Sequence, residues 1–369
     1  MRMRIGINGF GRIGRLIIRS AIARGIDLDI VAINDRGEAD INAHMLQYDS
    51  TYGPFAGRVE VLNNKIVVNG HPIEISSHTN PLEIPWKDYG VDLVIESTGV
   101  FTNADKAAAH IQAGAERVLI TAPSNGADIT IVMGVNETDY HPDSHEIVSA
   151  ASCTTNALAP VANVLHREFG IRSGMMSTIH SYTNDQRILD RSHKDPRRAR
   201  AGAANIIPTS TGATKALGTV IPALAGRLNG MSYRVPTLTV SLVDLAVNLE
   251  RKTNVKEINK VLQDAAEGEL KGIMGFTNLE LVSSDFRGDS HSGVVDGAST
   301  AIMESENLAR IVVWYDNEWG YASRIVDLAA YIQAHEGDAE APHRTYSVEK
   351  EGLDRALVMG GFAPESPPL

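Results

Sequence analysis

Arg4-Ile5-Gly6-Ile7-Asn8-Gly9-Phe10-Gly11-Arg12-Ile13-Gly14 is the stretch that decides the fold. Residues 4–8 read as a short buried strand. Gly9, Gly11 and Gly14 then form Gly-x-Gly-x-x-Gly. Residues 15–23 carry Leu16, Ile17, Ile18, Ala21 and Ile22 at helical spacing. In a strand–turn–helix setting the first glycine makes the turn. The second lets backbone approach a pyrophosphate, and the third lets helix and strand pack closely. The pyrophosphate rests on the helix N-terminus. A second strand, residues 29–33, ends in Asn34-Asp35, and Asp35 lies 21 residues beyond Gly14. An acidic residue at that distance binds the adenosine ribose hydroxyls. Arg36 follows at once. A carboxylate favours NAD, whereas a guanidinium receives a 2′-phosphate, so both NAD and NADP stay open at this point.

The first half continues in the same alternation. Residues 40–48 are helical in pattern, 58–62 and 65–68 form a hairpin across Asn63-Asn64, and 104–114 read as one helix. Residues 91–96 and 117–121 are further buried strands. Thr98 and Thr121 stand where these strands end, at the carboxyl edge where such sheets bind ligands. The fold class that follows is α/β. It has an N-terminal Rossmann-type, doubly wound parallel sheet, joined to an α+β catalytic domain with a mostly antiparallel sheet.

That second domain begins at Ser149-Ala150-Ala151-Ser152-Cys153-Thr154-Thr155-Asn156. Cys153 is the only cysteine, and a helix reads from 154 towards 169. A thiol at a helix N-terminus is expected to ionise below its free pKa of about 8.5. The plainer alternative is a small buried hydrophobe. Pro160 lies inside this helix and implies either irregular first turns or a bend. Residues 174–180 read as a strand ending in His180, placed to act as a base towards Cys153, or else as a structural histidine. The basic run 194–200 is either a solvated face or a phosphate-gathering segment. Thr211-Gly212 opens another helix, an anion site by its exposed N–H groups. Arg234 stands just before an alternating strand, 237–249. The residues alone describe an enzyme joining nicotinamide chemistry to a thiol and to phosphorylated ligands.

Composition bounds the rest. A chain of 369 residues exceeds one ordinary core. The expected division is a dinucleotide domain over 1–152, a catalytic domain over 153–316, a helix over 317–334 returning to the first domain, and a weakly ordered acidic tail over 335–369. A net charge of −11 argues against nucleic acid or an acidic membrane as main partner. No apolar run reaches the ~18 residues of a membrane helix. One cysteine suits a reducing compartment. Met1-Arg2-Met3-Arg4 leads straight into the first strand, so no secretory leader is expected and the cytoplasm is the expected location. No metal site is expected.

Asn8 to Arg15, Ala151 to Asn156, His180-Ser181-Tyr182-Thr183, Arg197-Arg198-Ala199-Arg200, residues 231–236 and residues 314–321 closely resemble phosphorylating glyceraldehyde-3-phosphate dehydrogenase. The likeness runs in order from about residue 3 to 334. It implies that Cys153 attacks the aldehyde of glyceraldehyde 3-phosphate to give a thiohemiacetal. His180 then takes the proton as hydride leaves for the nicotinamide, and inorganic phosphate cleaves the resulting thioester to 1,3-bisphosphoglycerate. Thr183, Asp185 and Arg234 are implied for the substrate phosphate. Ser152, Thr154, Thr211, Gly212 and Arg198 are implied for the attacking phosphate. Asn317 would hold the nicotinamide carboxamide, with Tyr321 nearby. Phe10, Arg12, Ile13, Asp35, Thr98 and Thr121 would line the rest of the cofactor. A homotetramer is implied as well.

Three departures from the family pattern stand out. Arg191-Ser192 replaces the Leu-Pro pair of members restricted to NAD, and Arg36 follows Asp35 where NADP-accepting members carry Thr. Ser192 and Arg36 together lead to the expectation of dual specificity or NADP preference. Ala157 stands where many relatives have a second cysteine, and the tail lacks the paired cysteines of redox-regulated members. The nearest rival is erythrose-4-phosphate dehydrogenase, which shares the Cys–His pair but releases its product to water. A thiol hydrolase would use the same pair without a dinucleotide fingerprint.

Overall fold

The computed structural model describes residues 2–336. The expected tail lies outside the described residues from 337 onward. His335 still belongs to the last helix, and Glu336 is paired with Arg117. Two compact units emerge. One comprises 2–130, 139–150 and 325–336, and the other 131–138 and 151–324.

The first unit holds a sheet of nine strands: β1 (Arg4–Asn8), β2 (Asp29–Asn34), β3 (Val59–Leu62), β4 (Lys65–Val68), β5 (His71–Ser76), β6 (Leu93–Glu96), β7 (Arg117–Ile120), β8 (Ile129–Thr130) and β9 (Ile147–Ser149). Their order is β3-β4-β5-β2-β1-β6-β7-β9-β8. From β5 to β8 every pairing is parallel, and β3 and β4 add an antiparallel edge. Strands β6 and β7 are buried along their whole length, as parallel strands covered on both faces must be. Asn63 and Asn64 take φ of 50° and 61°, the geometry of a tight hairpin turn between β3 and β4.

Helices α1 (Arg12–Ala23), α2 (Ala39–Gln47), α3 (Trp86–Tyr89), α4 (Ala104–Ala107) and α5 (Ala109–Gln112) belong to this unit. The single helix expected over 104–114 is broken at Ala108. The break coincides with an inward turn of His110, whose ring is fully buried against Trp86 and Glu96.

The second unit opens with α6 (Cys153–Phe169). Its sheet contains β10 (Ile171–Ser181), β11 (Ile207–Ser210), β12 (Leu228–Val235), β13 (Ser241–Leu249), β14 (Met274–Thr277), β15 (Gly293–Met303) and β16 (Leu308–Tyr315), in the order β11-β12-β10-β13-β16-β15-β14. Only β10–β12 and β14–β15 run parallel. The mostly antiparallel sheet read from the sequence is therefore present. Alternation along β13 sends Val243, Leu245, Val247 and Leu249 into a core shared with Leu158, Val161, Leu165 and Phe169 of α6. Pro160 is accommodated without interrupting that helix.

Helices α7 (Ala213–Val220) and α8 (Val255–Glu267) complete the unit, and α9 (Trp319–His335) closes the described chain. Strand β13 starts at Ser241, four residues later than its alternation suggested. Val240 takes φ of 68°, which turns the chain out of extended conformation just before it.

Candidate active site

Cys153 is the first residue of α6, and its placement is built by local rules. Ser152 is the N-cap, its Oγ accepting from Thr155 N at 3.1 Å. Ala151 holds a left-handed φ of 55°, and its carbonyl accepts from Tyr321 Oη at 2.8 Å. A non-glycine residue in that region stores strain, and the tyrosine contact helps to hold it. The next residue of the chain after this corner and its cap is Cys153.

His180 comes from β10, between β12 and β13. Its Nε2 lies 3.5 Å from Cys153 Sγ. Arg234 on β12 is the direct register partner of His180. Arg234 Nη1 stands 2.7 Å from His180 Nδ1 and donates to Ser181 O at 3.1 Å, while Nδ1 also lies 2.7 Å from that carbonyl. The two neighbours make opposite demands on Nδ1: the Ser181 carbonyl takes a proton from it, whereas the Arg234 guanidinium can only give one to it, and Nε2 turns a lone pair to the thiol in the tautomer that donates to Ser181. Behind the pair, Tyr315 Oη meets Thr154 Oγ1 at 3.0 Å and Thr178 Oγ1 at 2.8 Å. Burial raises the Tyr315 and Tyr321 hydroxyls above their ordinary values, so both remain protonated.

Burial also pushes the Cys153 thiol up, and the Arg234 guanidinium, the Thr154 hydroxyl and the first-turn N–H groups oppose this without reversing it. The helix start does lower this thiol, but burial outweighs it, so the thiol does not fall below its ordinary value as the sequence reading expected. Burial, and after it the charge of Arg234, holds His180 down to about 3. The two groups therefore rest as neutral neighbours. A proton passing from Sγ to Nε2 creates opposite charges that stabilise each other in a low dielectric, so the pair ionises as a unit.

Around this centre, Asn317 Oδ1 accepts from Ser181 Oγ at 3.1 Å and from Ser241 Oγ at 2.9 Å. That fixes the amide with its NH₂ free to serve a ligand carbonyl. Arg198 donates to Thr209 Oγ1 at 2.9 Å, to Asp185 Oδ2 at 2.6 Å and to Ser210 O at 3.3 Å. Burial pushes the Asp185 carboxyl up, but Arg198 and His193 outweigh it and hold the group below its ordinary value. Both Asp185 oxygens are thus engaged, Oδ2 by the Arg198 guanidinium and Oδ1 by His193 Nε2 at 3.4 Å, and Asp185 steadies Arg198. Thr211 Oγ1 accepts from Ala213 N at 3.2 Å, and Gly212 caps α7. Thr183 N donates to Gln186 Oε1 at 3.3 Å. Ser192 is exposed, its carbonyl taking the Arg187 guanidinium at 3.0 Å.

In the first unit a cavity of about 190 Å³ is lined by Asn8, Gly9, Gly11, Asp35, Arg36 and Thr98, among others. Asp35 Oδ2 accepts from Phe10 N and Oδ1 from Gly37 N, both at 2.8 Å, which holds the carboxylate in place. A Cβ on Gly14 would lie 2.4 Å from Gly9 O, so the helix can approach the turn only with glycine there. Gly11 faces open space at the N-cap of α1, the room a pyrophosphate needs. The residues present fit a dinucleotide.

Not every expected cofactor residue joins this cavity. Phe10 is buried in the core, Arg12 pairs with Asp49, and Thr121 Oγ1 donates to Glu96 O at 3.1 Å. The cavity walls also include His78, Thr79 and Phe101, which sequence reading missed. It missed Tyr315, Thr178 and Ser241 as well. The available signal for Tyr315 was a lone hydroxyl at the end of an apolar strand.

Residues 3–104 match the description "Glyceraldehyde 3-phosphate dehydrogenase, NAD binding domain", and residues 152–317 match "Glyceraldehyde 3-phosphate dehydrogenase, C-terminal domain". Glyceraldehyde-3-phosphate dehydrogenase 1 of Bacillus subtilis is 53% identical over 332 residues, covering 90% of this chain and 98% of that protein. Glyceraldehyde-3-phosphate dehydrogenase of Geobacillus stearothermophilus shows the same identity and coverage. Glyceraldehyde-3-phosphate dehydrogenase 2 of Trichormus variabilis is 51% identical, over 89% of this chain and 98% of its own. With both halves matched and the order of motifs kept, the chain belongs to the glyceraldehyde 3-phosphate dehydrogenase family.

Proposed function

We propose that this chain oxidises glyceraldehyde 3-phosphate, with NAD and inorganic phosphate, to 1,3-bisphosphoglycerate. The observation that carries the reading is Cys153 Sγ at 3.5 Å from His180 Nε2, at the first position of α6 after the Ser152 cap, with the Thr154 hydroxyl and the Arg234 guanidinium beside it. Sγ attacks the aldehyde carbon as its proton passes to His180 Nε2, giving a thiohemiacetal on Cys153. The Cys153 backbone N–H supports the developing oxyanion. The bound dinucleotide supplies the acceptor for the hydride that leaves C1. His180 Nε2 returns that proton to the oxyanion, making the hydroxyl, and takes it back as the hydride leaves and the thioester forms. Phosphate then attacks the thioester carbon, the C–S bond breaks, and Cys153 is regenerated.

In this reading Arg234 and Thr183 hold the substrate phosphate. Arg198, steadied by Asp185, joins Ser152, Thr154, Thr211 and Gly212 around the attacking phosphate. Asn317 orients the nicotinamide carboxamide, and Tyr321 acts through the Ala151 carbonyl. Residues 1–152 serve the dinucleotide, 153–316 the chemistry, and the helix from 317 connects back to the first. A cytoplasmic homotetramer is the proposed working form. Among the described residues no helix is long and apolar enough to cross a membrane.

The test is initial rates with glyceraldehyde 3-phosphate, with and without phosphate, using NAD and NADP in parallel. Phosphate-dependent reduction of NAD is the expected result. Equal rates without phosphate overturn it in favour of hydrolytic release. Use of NADP is proposed on the exposed Arg36 beside Asp35, together with Ser192. Arg36→Leu is then expected to lower the ratio of NADP to NAD kcat/KM by about tenfold, the worth of one charge-assisted hydrogen bond. An unchanged ratio discards Arg36 as a determinant.

A further inference from the structure

From the wall of the dinucleotide cavity inward runs a row of buried polar side chains, of which Asn8 and Asn34 line the cavity and the rest lie behind it. Asn8, Asn34 and Glu96 end three adjacent strands, with Asn8 the register partner of both others. Asn34 Nδ2 donates to Asn8 Oδ1 at 2.8 Å, and Asn8 Nδ2 donates to Glu96 Oε2 at 2.6 Å. His110 Nε2 stands 3.1 Å from the same oxygen, and Trp86 Nε1 donates to His110 Nδ1 at 3.0 Å. An indole nitrogen can only donate, so Nδ1 accepts and the ring proton sits on Nε2, facing Glu96. Glu96 is 1% exposed, and His110 and Trp86 are fully buried.

The row reaches both walls of the cavity. Glu96 Oε1 accepts from the backbone N of Thr98 at 2.8 Å and from the Thr98 hydroxyl. At the other end, Asn34 Oδ1 accepts from His78 N at 2.9 Å and from Ser76 Oγ at 3.0 Å, while Asn34 Nδ2 donates to His78 O at 2.9 Å. His78 and Thr98 line the cavity, whereas Glu96, His110 and Trp86 do not. A buried carboxylate–histidine pair is no efficient source of stability, since apolar replacements of such groups are often neutral or better. A satisfied buried network does rigidify what it ties together.

We propose that Glu96, His110 and Trp86 are positioning residues that set the gap between the 78–79 and 97–98 segments, and so the affinity for the adenosine diphosphate half of the cofactor. This rests on the dinucleotide reading of the cavity, and a wild-type chain that bound neither NAD nor ADP-ribose would overturn that reading first. The experiment measures Kd for NAD and for ADP-ribose, which lacks the nicotinamide, by calorimetry, with Tm recorded beside it. Glu96→Gln turns one acceptor into a donor, and His110→Phe leaves the indole N–H and Glu96 without their partner. Both variants are expected to raise the two Kd values together by about tenfold or more. His110→Gln, which keeps a donor towards Glu96, is expected to recover most of the affinity. At saturating NAD, kcat is expected to change less than twofold. Unchanged Kd values overturn the proposal, as does a loss for NAD without one for ADP-ribose, or a loss in His110→Gln as large as in His110→Phe. Should Glu96→Gln and His110→Phe fail to fold, Trp86→Phe removes only the indole donor while keeping an aromatic ring. It is expected to raise both Kd values several-fold, and unchanged values overturn the proposal there too.

Discussion

Cys153→Ser lowers kcat/KM for phosphate-dependent aldehyde oxidation by roughly 10⁴-fold or more, the scale seen when a nucleophile is removed. Serine keeps the size of the side chain, the cap from Ser152 Oγ to Thr155 N and the helix that follows. What it loses is the chemistry of sulfur. A hydroxyl opposite a neutral imidazole ionises far less readily than a thiol. An ester is also a poorer acyl donor to phosphate than a thioester. Both halves of the reaction suffer, so the losses compound. Initial rates give the overall effect, and mass spectrometry of the enzyme quenched during turnover detects the acyl group on the wild type alone. NAD affinity stays as a control that the fold is intact. Residual activity within a hundredfold of wild type would place the nucleophile elsewhere.

His180→Asn is the second large effect, a fall of about 10² to 10⁴ in the acylation rate, as for loss of a general base. Its signature is the pH profile. In the wild type His180 is uncharged at all pH values above about 3, so a base is available throughout the working range. The thiol alone sits above its ordinary value through burial and is protonated at neutrality. Without His180 the reaction must wait for hydroxide to ionise that thiol. The rate of His180→Asn is therefore expected to climb about tenfold per pH unit through neutrality, in proportion to the thiolate fraction. The wild-type profile rises and levels at lower pH. Single-turnover rates, or alkylation of the thiol by iodoacetamide, read both curves. Coincident profiles would remove His180 from the proton path.

The elements that carry the chemistry were legible because each is a local pattern. Gly9 to Gly14 needs only its own strand and helix, and Asp35 needs only the next strand end. Ser152-Cys153 announces a capped helix start within a few residues. What stayed hidden depends on partners far along the chain. Tyr315 is 161 residues from Thr154, and the row from Asn34 to Trp86 joins three strand ends to two helices. No periodicity reports such meetings. The break at Ala108, which coincides with the inward turn of His110, belongs to the same class. The thiol was misjudged for a related reason. A helix N-terminus is visible in sequence, whereas the burial that outweighs it is not. The late start of β13 hangs on Val240, a β-branched residue in a conformation its type disfavours.

Cys153 is the sole sulfhydryl of the chain, partly exposed at the start of α6, with Ala157 one turn further on. A molecule built this way carries its own titrant. On the proposed mechanism, one equivalent of a thiol reagent per chain counts the competent sites and silences them in the same stroke. Any preparation in which fewer equivalents react declares its inactive fraction directly. The same economy leaves no internal rescuer: once oxidised, this sulfur finds no second thiol within its own chain, and recovery depends on reductants supplied from outside.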